Sequence, residues 1–209
     1  LKDLPGIMTK GLVIRGVIER NDPRDVLIGK IKKGSRVGTS SPRRTAQLKY
    51  KRKDIEVLPI RGNIDTRLKK LEDGQYDAII LAKAGLQMLG LENKADKIYE
   101  LDEIPPCAGQ GIIAIQSREN DHTINAKIAS INHLQTFYQA EAERSLLEAI
   151  GGDCHTALGC YTMTSAYHLY ITSEMYVDGK KYTASGSDNV INAKELGNRI
   201  GKDLLEQLD

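Results

Sequence analysis

The chain has 209 residues, with 30 Lys or Arg against 28 Asp or Glu, three Cys, no Trp and a formal net charge of +2. At 40% hydrophobic and 28% charged it can fill one large core or two small ones, which excludes a disordered or collagen-like chain. No run approaches the roughly 18 apolar residues of a membrane span, and Leu1 to Lys10 lacks the regions of a secretory leader, so a cytosolic protein without membrane contact is expected.

Short β-branched runs at Leu12 to Ile18, Ile55 to Ile60, Ala78 to Leu81 and Gly111 to Ile115 read as strands, with helical periodicity between several of them. That alternation predicts an α/β fold with a parallel sheet. Pro42 to Tyr50 suits a helix capped by Ser40 or Ser41, and Ile64 to Glu72 a second one ended by Gly74. A short helix through Leu86 and Leu89 stops at Gly90. A long helix is expected from Leu134 to Ile150, terminated by Gly151-Gly152. Strands follow at Tyr161 to Ala166, His168 to Val177 and Lys181 to Ala184, with Asp178-Gly179 as a hairpin turn. An amphipathic helix closes the chain from Asn192 to Leu208, so a small α+β domain is expected after the α/β portion.

Charge is unevenly spread, since ten basic residues and no acidic one lie between Lys30 and Lys53. Within that tract, Gly38-Thr39-Ser40-Ser41-Pro42-Arg43-Arg44 opens a helix and forms an anion site by construction. Free backbone N–H groups, the helix dipole, the hydroxyls of Thr39 and Ser41 and two guanidiniums all favour a carboxylate or phosphate. The glycine spacing and lysine of a P-loop are absent. Arg61-Gly62-Asn63-Ile64-Asp65-Thr66-Arg67 repeats the logic, and strand ends of a parallel sheet share one edge, so Arg43, Arg44, Arg61 and Arg67 are expected to converge. The plain alternatives are a solvated Arg43 and an Arg67 paired with Asp65 or Glu72. Cys107, Cys154 and Cys160 are odd in number and are expected as thiols; Cys154, in Gly151-Gly152-Asp153-Cys154-His155, is a possible nucleophile, although a preceding helix C-terminus raises a thiol pKa. Cys154, His155 and Cys160 lack the ligand spacing of a zinc site, and no metal is expected.

Taken in order, Lys2-Asp3-Leu4-Pro5, Arg20-Asn21-Asp22-Pro23-Arg24-Asp25, the Gly38 to Arg44 motif, Arg61-Gly62-Asn63 with Thr66-Arg67, Gly109-Gln110-Gly111 and the Gly-Gly-Asp-Cys loop resemble the porphobilinogen deaminase (hydroxymethylbilane synthase) family along essentially the whole chain. The resemblance implies a periplasmic-binding-protein-like two-domain α/β portion, with domain 1 incomplete, plus a C-terminal α+β domain. Residues 1–15 and 107–130 would be the remnant of domain 1, residues 16–106 domain 2 and residues 132–209 domain 3. It implies a transferase of haem biosynthesis that condenses four porphobilinogen units into a linear tetrapyrrole with loss of ammonia, on a dipyrromethane primer attached through Cys154. Asp3 would be the catalytic carboxylate, stabilising the cationic azafulvene, with Lys2, Thr39, Ser41, Arg43, Arg44, Arg61 and Arg67 holding the carboxylates of cofactor and substrate. A monomer is expected.

The family carries several dozen residues before Lys-Asp-Leu-Pro and often an arginine at the position of Met88, so an incomplete first sheet with exposed edges and one carboxylate contact fewer are expected, and whether the chain is active alone is left open by its sequence. Two competing readings remain. A non-catalytic module for a small carboxylate predicts no adduct at Cys154. A basic nucleic-acid-binding domain predicts steep salt dependence, but only Tyr50 interleaves the basic tract.

Overall fold

The computed structural model describes residues 1–5, 8–152 and 156–208, and among them three sheets. The largest has five strands in the order β4-β3-β5-β2-β6, formed by β2 (Asp25–Gly29), β3 (Arg36–Gly38), β4 (Glu56–Leu58), β5 (Ala78–Ala82) and β6 (Lys97–Ile98). The expected parallel sheet is in fact mixed. Strand β3 runs parallel to β4 and β5, whereas β2 is antiparallel to both β5 and β6. Connections through α1 (Pro42–Lys51) and α2 (Ile64–Glu72) are crossovers of the kind parallel strands require, and the short link from β2 to β3, residues 30–35, is not. Val26 and Ile28 face one core with Ile79 and Leu81, while Leu27 faces another with Val37 and Ile80; this sheet is covered on both sides.

Local chemistry sets the helix starts. Ser41 caps α1, its Oγ accepting from the Arg44 amide, and Pro42 occupies the first helical position, where its missing N–H costs nothing. Asn63 caps α2 in the same way, and Gly74, at φ +71°, lies just beyond the C-cap Asp73. The short helix after β5 is α3 (Lys83–Gln87).

Strand β1 (Leu12–Val17) pairs antiparallel with β7 (Ala114–Arg118) in a sheet of two. The strand expected at Gly111 to Ile115 therefore begins three residues later. Gly109 and Gly111 both have positive φ and fold the preceding stretch into a turn, which the apolar run alone does not reveal. Helix α4 (His122–Ala129) packs on this pair.

The third sheet is an antiparallel meander of β8 (Leu158–Ser165), β9 (His168–Val177) and β10 (Lys180–Asn189), with β9 and β10 joined across Asp178-Gly179. Strand β10 continues five residues beyond the expected Ala184, because each polar residue from Ser185 to Asn189 still finds a partner on β9. Helices α5 (Leu134–Ala149) and α6 (Ala193–Glu206) cover one face, burying Ala142, Leu146, Leu196, Ile200 and Leu204 against Leu158, Cys160, Leu169 and Ile171. The two helices touch backbone to backbone, since a Cβ built on Gly197 would lie 2.1 Å from the Ala142 carbonyl oxygen. No helix is long and apolar enough to cross a membrane among the described residues.

Candidate functional site

A cavity of 340 Å³ opens where the three sheets meet. Its wall includes Lys2 and Asp3 from the N-terminal turn, Ser41, Arg43 and Arg44 from the start of α1, and Cys107 and Gln110 from the turn before β7. Leu147, Thr156 and Leu158, which flank residues 153–155, complete it. Lys2, Asp3, Leu4 and Gln110 are shared with a second cavity of 440 Å³ that extends past Gly85 and the exposed Met88. Asp3 thus stands between two adjoining spaces. Ser40 to Arg44, Arg61 and Lys83 all follow the carboxyl ends of the parallel strands β3, β4 and β5, the edge at which open α/β sheets take ligands.

The two arginines of α1 are buried, not solvated. Arg43 is 2% and Arg44 7% exposed, and both converge on the fully buried carboxylate of Asp25. Arg44 donates to it from Nε (3.0 Å) and Nη2 (2.7 Å), Arg43 from Nη2 (2.9 Å), and Gln110 Nε2 adds a fourth bond at 2.8 Å. Burial alone would push the Asp25 carboxyl up; the charges of Arg43 and Arg44, with the bonds from Arg44 and Gln110, hold it well below the usual carboxylate range. One carboxylate against two guanidiniums leaves the cavity wall with excess positive charge.

Arg67, expected to converge with them, does not line either cavity. It pairs with neither Asp65 nor Glu72; its Nε donates to the Gly62 carbonyl at 2.7 Å, and no ion pair forms on it among the described residues. Its basicity is lowered by partial burial and by the like charge of Arg44, which puts the two guanidiniums within electrostatic reach. Arg61 is exposed and away from the cavity wall, its carbonyl accepting from Lys70 Nζ. Thr39 is also off the wall, buried at the end of β3, where its Oγ1 accepts from the Ser41 amide at 3.2 Å. Cys154 lies outside the described residues.

Comparisons with known proteins bear on this arrangement. Residues 1–126 match the family model "Porphobilinogen deaminase, dipyromethane cofactor binding domain", and residues 137–206 match "Porphobilinogen deaminase, C-terminal domain". The chain is 37% identical to a porphobilinogen deaminase of Fusobacterium nucleatum, with all of this chain and 72% of that one aligned. It is 38% identical to one of Desulforamulus reducens over 98% of this chain and 69% of the other.

The chain belongs to the porphobilinogen deaminase family.

A solved Streptococcus mutans structure concerned with glutathione import shares 12% identity over 72% of this chain and 68% of its own, with a TM-score of 0.37, a likeness too loose to bear on function. The cavity fits the family's cofactor, an acidic pyrrole dimer, on two observations of this structure. Among the described residues, buried Arg43 Nε on the wall has no hydrogen-bond partner, and Arg67, electrostatically coupled to Arg44 though off the wall, has no counter-carboxylate. Both suit an anionic ligand.

Three site residues were not anticipated from the sequence: Asp25, Gln110 and Cys107. Asp25 heads β2, a strand the periodicity reading passed over. The signal available was an acid before Val-Leu-Ile and after Pro23, in a chain with two adjacent helix-opening arginines needing a counter-ion. The Cys107 Sγ donates weakly to Gln110 Oε1 at 3.5 Å. The buried Cys160 sits in the core instead, where desolvation and the nearby Glu143 push its thiol well up.

Proposed function

We propose that this chain carries out the reaction of its family: four porphobilinogen molecules and one water give a linear hydroxymethyl tetrapyrrole and four ammonia. The observation that carries the reading is the convergence of Asp3, Lys2, Arg43 and Arg44 on one cavity flanked by the residues on either side of the Cys154 loop. The covalent dipyrromethane, when bound through Cys154, supplies the acceptor pyrrole carbon for chain growth.

Each pyrrole carries an acetate and a propionate, so the ligand is polyanionic and planar. Arg43, Arg44 and Arg67, with Lys2, bind those carboxylates, the guanidinium fork fixing ring orientation as well as charge. Ser41 adds a hydroxyl donor at the wall and Thr39 steadies the Ser41 amide from behind, while Arg61, which lies away from the wall, takes no part in this reading. Asp3 accepts pyrrole N–H bonds and offers its carboxylate to the positive charge that develops as the aminomethyl nitrogen leaves as ammonia; the proton that nitrogen needs passes through the same group. Pro42, Leu4, Leu147 and Leu158 supply the apolar wall that keeps bulk water from the cation.

We further infer three units, residues 1–15 with 107–130, residues 16–106 and residues 132–209. The pairing of β1 through Val17 supports moving the first boundary two residues later. We infer action as a monomer in a reducing, cytoplasmic setting, with which the free thiols Cys107 and Cys160 agree.

Intact mass of the purified chain and of Cys154→Ser tests the reading. A dipyrromethane increment in the first and none in the second is expected. An unmodified wild-type chain that also fails to bind porphobilinogen calorimetrically overturns it.

A further inference from the structure

Behind the cavity wall runs a buried hydrogen-bond chain that the reaction chemistry does not use. Gln47, one turn beyond Arg43 on α1, is fully buried. Its Oε1 accepts from Arg43 Nη1 at 2.8 Å, and its Nε2 donates to Glu174 Oε1 at 2.9 Å and to the Pro105 carbonyl at 2.8 Å. Arg43 Nη1 donates to that same carbonyl at 2.7 Å. Glu174, 3% exposed in β9, is held in turn by Lys181 Nζ at 2.5 Å and the Tyr176 hydroxyl at 3.1 Å. The chain therefore starts at a cavity guanidinium in the five-stranded-sheet unit and ends inside the three-stranded sheet.

It also passes beneath the strand that emerges from the cysteine loop. A Cβ at Gly159, the second residue of β8, would lie 2.7 Å from the Pro105 carbonyl oxygen and 2.9 Å from Gln47 Nε2. The Cys160 amide donates to the Pro106 carbonyl at 2.7 Å immediately beside it. Leu158, the preceding residue, lines the cavity. An amide is the one side chain of this length that can accept from a guanidinium and donate to a carboxylate at once.

Resting on the family reading above, we propose that Gln47 is a positioning residue that locks the Arg43 guanidinium to Glu174, and so holds the cationic cavity wall in register with the strand leaving the Cys154 loop. Arg43 on α1 and Leu158 on β8 line one cavity, and Gln47 with Glu174 fixes that relation.

The test uses Gln47→Met, which keeps volume and removes all three side-chain hydrogen bonds, Glu174→Gln, and the double variant, with melting temperature recorded for each. Porphobilinogen affinity by calorimetry and adduct occupancy by intact mass are the readouts, with KM and kcat where turnover is measurable. The expected result is affinity weakened about tenfold in Gln47→Met and three- to fivefold in Glu174→Gln, kcat within twofold, and a double variant no worse than Gln47→Met. Glu174→Gln carries the test if Gln47→Met fails to fold, because the glutamine amide keeps an acceptor for Gln47 and Tyr176. Unchanged affinity and occupancy in a folded variant, or additive losses in the double, overturns the proposal. A wild-type chain that neither binds porphobilinogen nor carries an adduct instead brings down the family reading.

Discussion

Arg44 embraces Asp25 through two parallel hydrogen bonds, at 2.7 and 3.0 Å, in a setting closed to solvent. The pair joins a helix start to the first residue of β2 and fixes the geometry of a residue that also lines the cavity. Two arginines share this one acid, so its loss strands both.

Asp25→Ala is expected to cost about 3–5 kcal/mol of stability, the range for breaking a buried pair and leaving its charged partner uncompensated. Denaturant unfolding of the two proteins measures it; a change below about 1 kcal/mol contradicts the geometry. The Asp25 carboxyl has a folded pKa depressed below its unfolded value. Its contribution is therefore complete above about pH 4, the unfolded range, and is lost only as pH falls toward the lowered folded value. Wild-type stability should drop on acidification below pH 4 more steeply than that of the variant.

Glu143→Ala should act on the junction of the sheets. This fully buried carboxylate receives Arg20 in a fork at 2.7 and 3.1 Å, the Gly109 amide at 2.7 Å and the Thr162 hydroxyl at 2.8 Å. A loss of about 3–5 kcal/mol lowers the melting temperature by about 10 °C for a chain of this size. Calorimetric scanning reads the shift.

Arg67→Ala separates binding from folding. Among the described residues its guanidinium has only a backbone acceptor, so the melting temperature should move by less than about 2 °C, while porphobilinogen affinity falls about tenfold, the equivalent of one charge-assisted hydrogen bond. Isothermal titration decides it, and equal affinity in the two proteins removes Arg67 from the site.

Thiol labelling distinguishes the two described cysteines. Cys107 is partly accessible on the cavity wall and should react with a maleimide in the native protein, whereas Cys160, buried and with its thiol pushed up, should react only after denaturation. Peptide mass mapping gives the order of modification, and porphobilinogen should slow labelling of Cys107.

Much of the architecture was written in local chemistry. Ser41-Pro42 and Asn63 mark helix starts, Gly74 and Gly151 lie just past helix ends, and Asp178-Gly179 makes the β9–β10 hairpin, each through backbone preferences that operate within a few residues. Strand β2 was not legible, because a short fully buried run carries no alternation, and its antiparallel place at the heart of the sheet is set by contacts with β5 and β6. The arginine cluster was legible as an anion site through Arg43 and Arg44. Their buried acid was not, since Asp25 is eighteen residues from Arg43 and only the fold brings them together. Gln47 was invisible for the same reason: its partner Glu174 lies across the molecule.

The turn Gly109-Gln110-Gly111 exchanges hydrogen bonds with α5 and with the stretch that opens β2: Gly109 with Glu143, Gln110 with Asp25, Pro23 and Arg20, and Gly111 with Asn21. Neither half of the chain opens without tearing this knot, so unfolding should proceed as a single cooperative event, and the Gly109 amide should rank among the slowest to exchange with deuterated solvent.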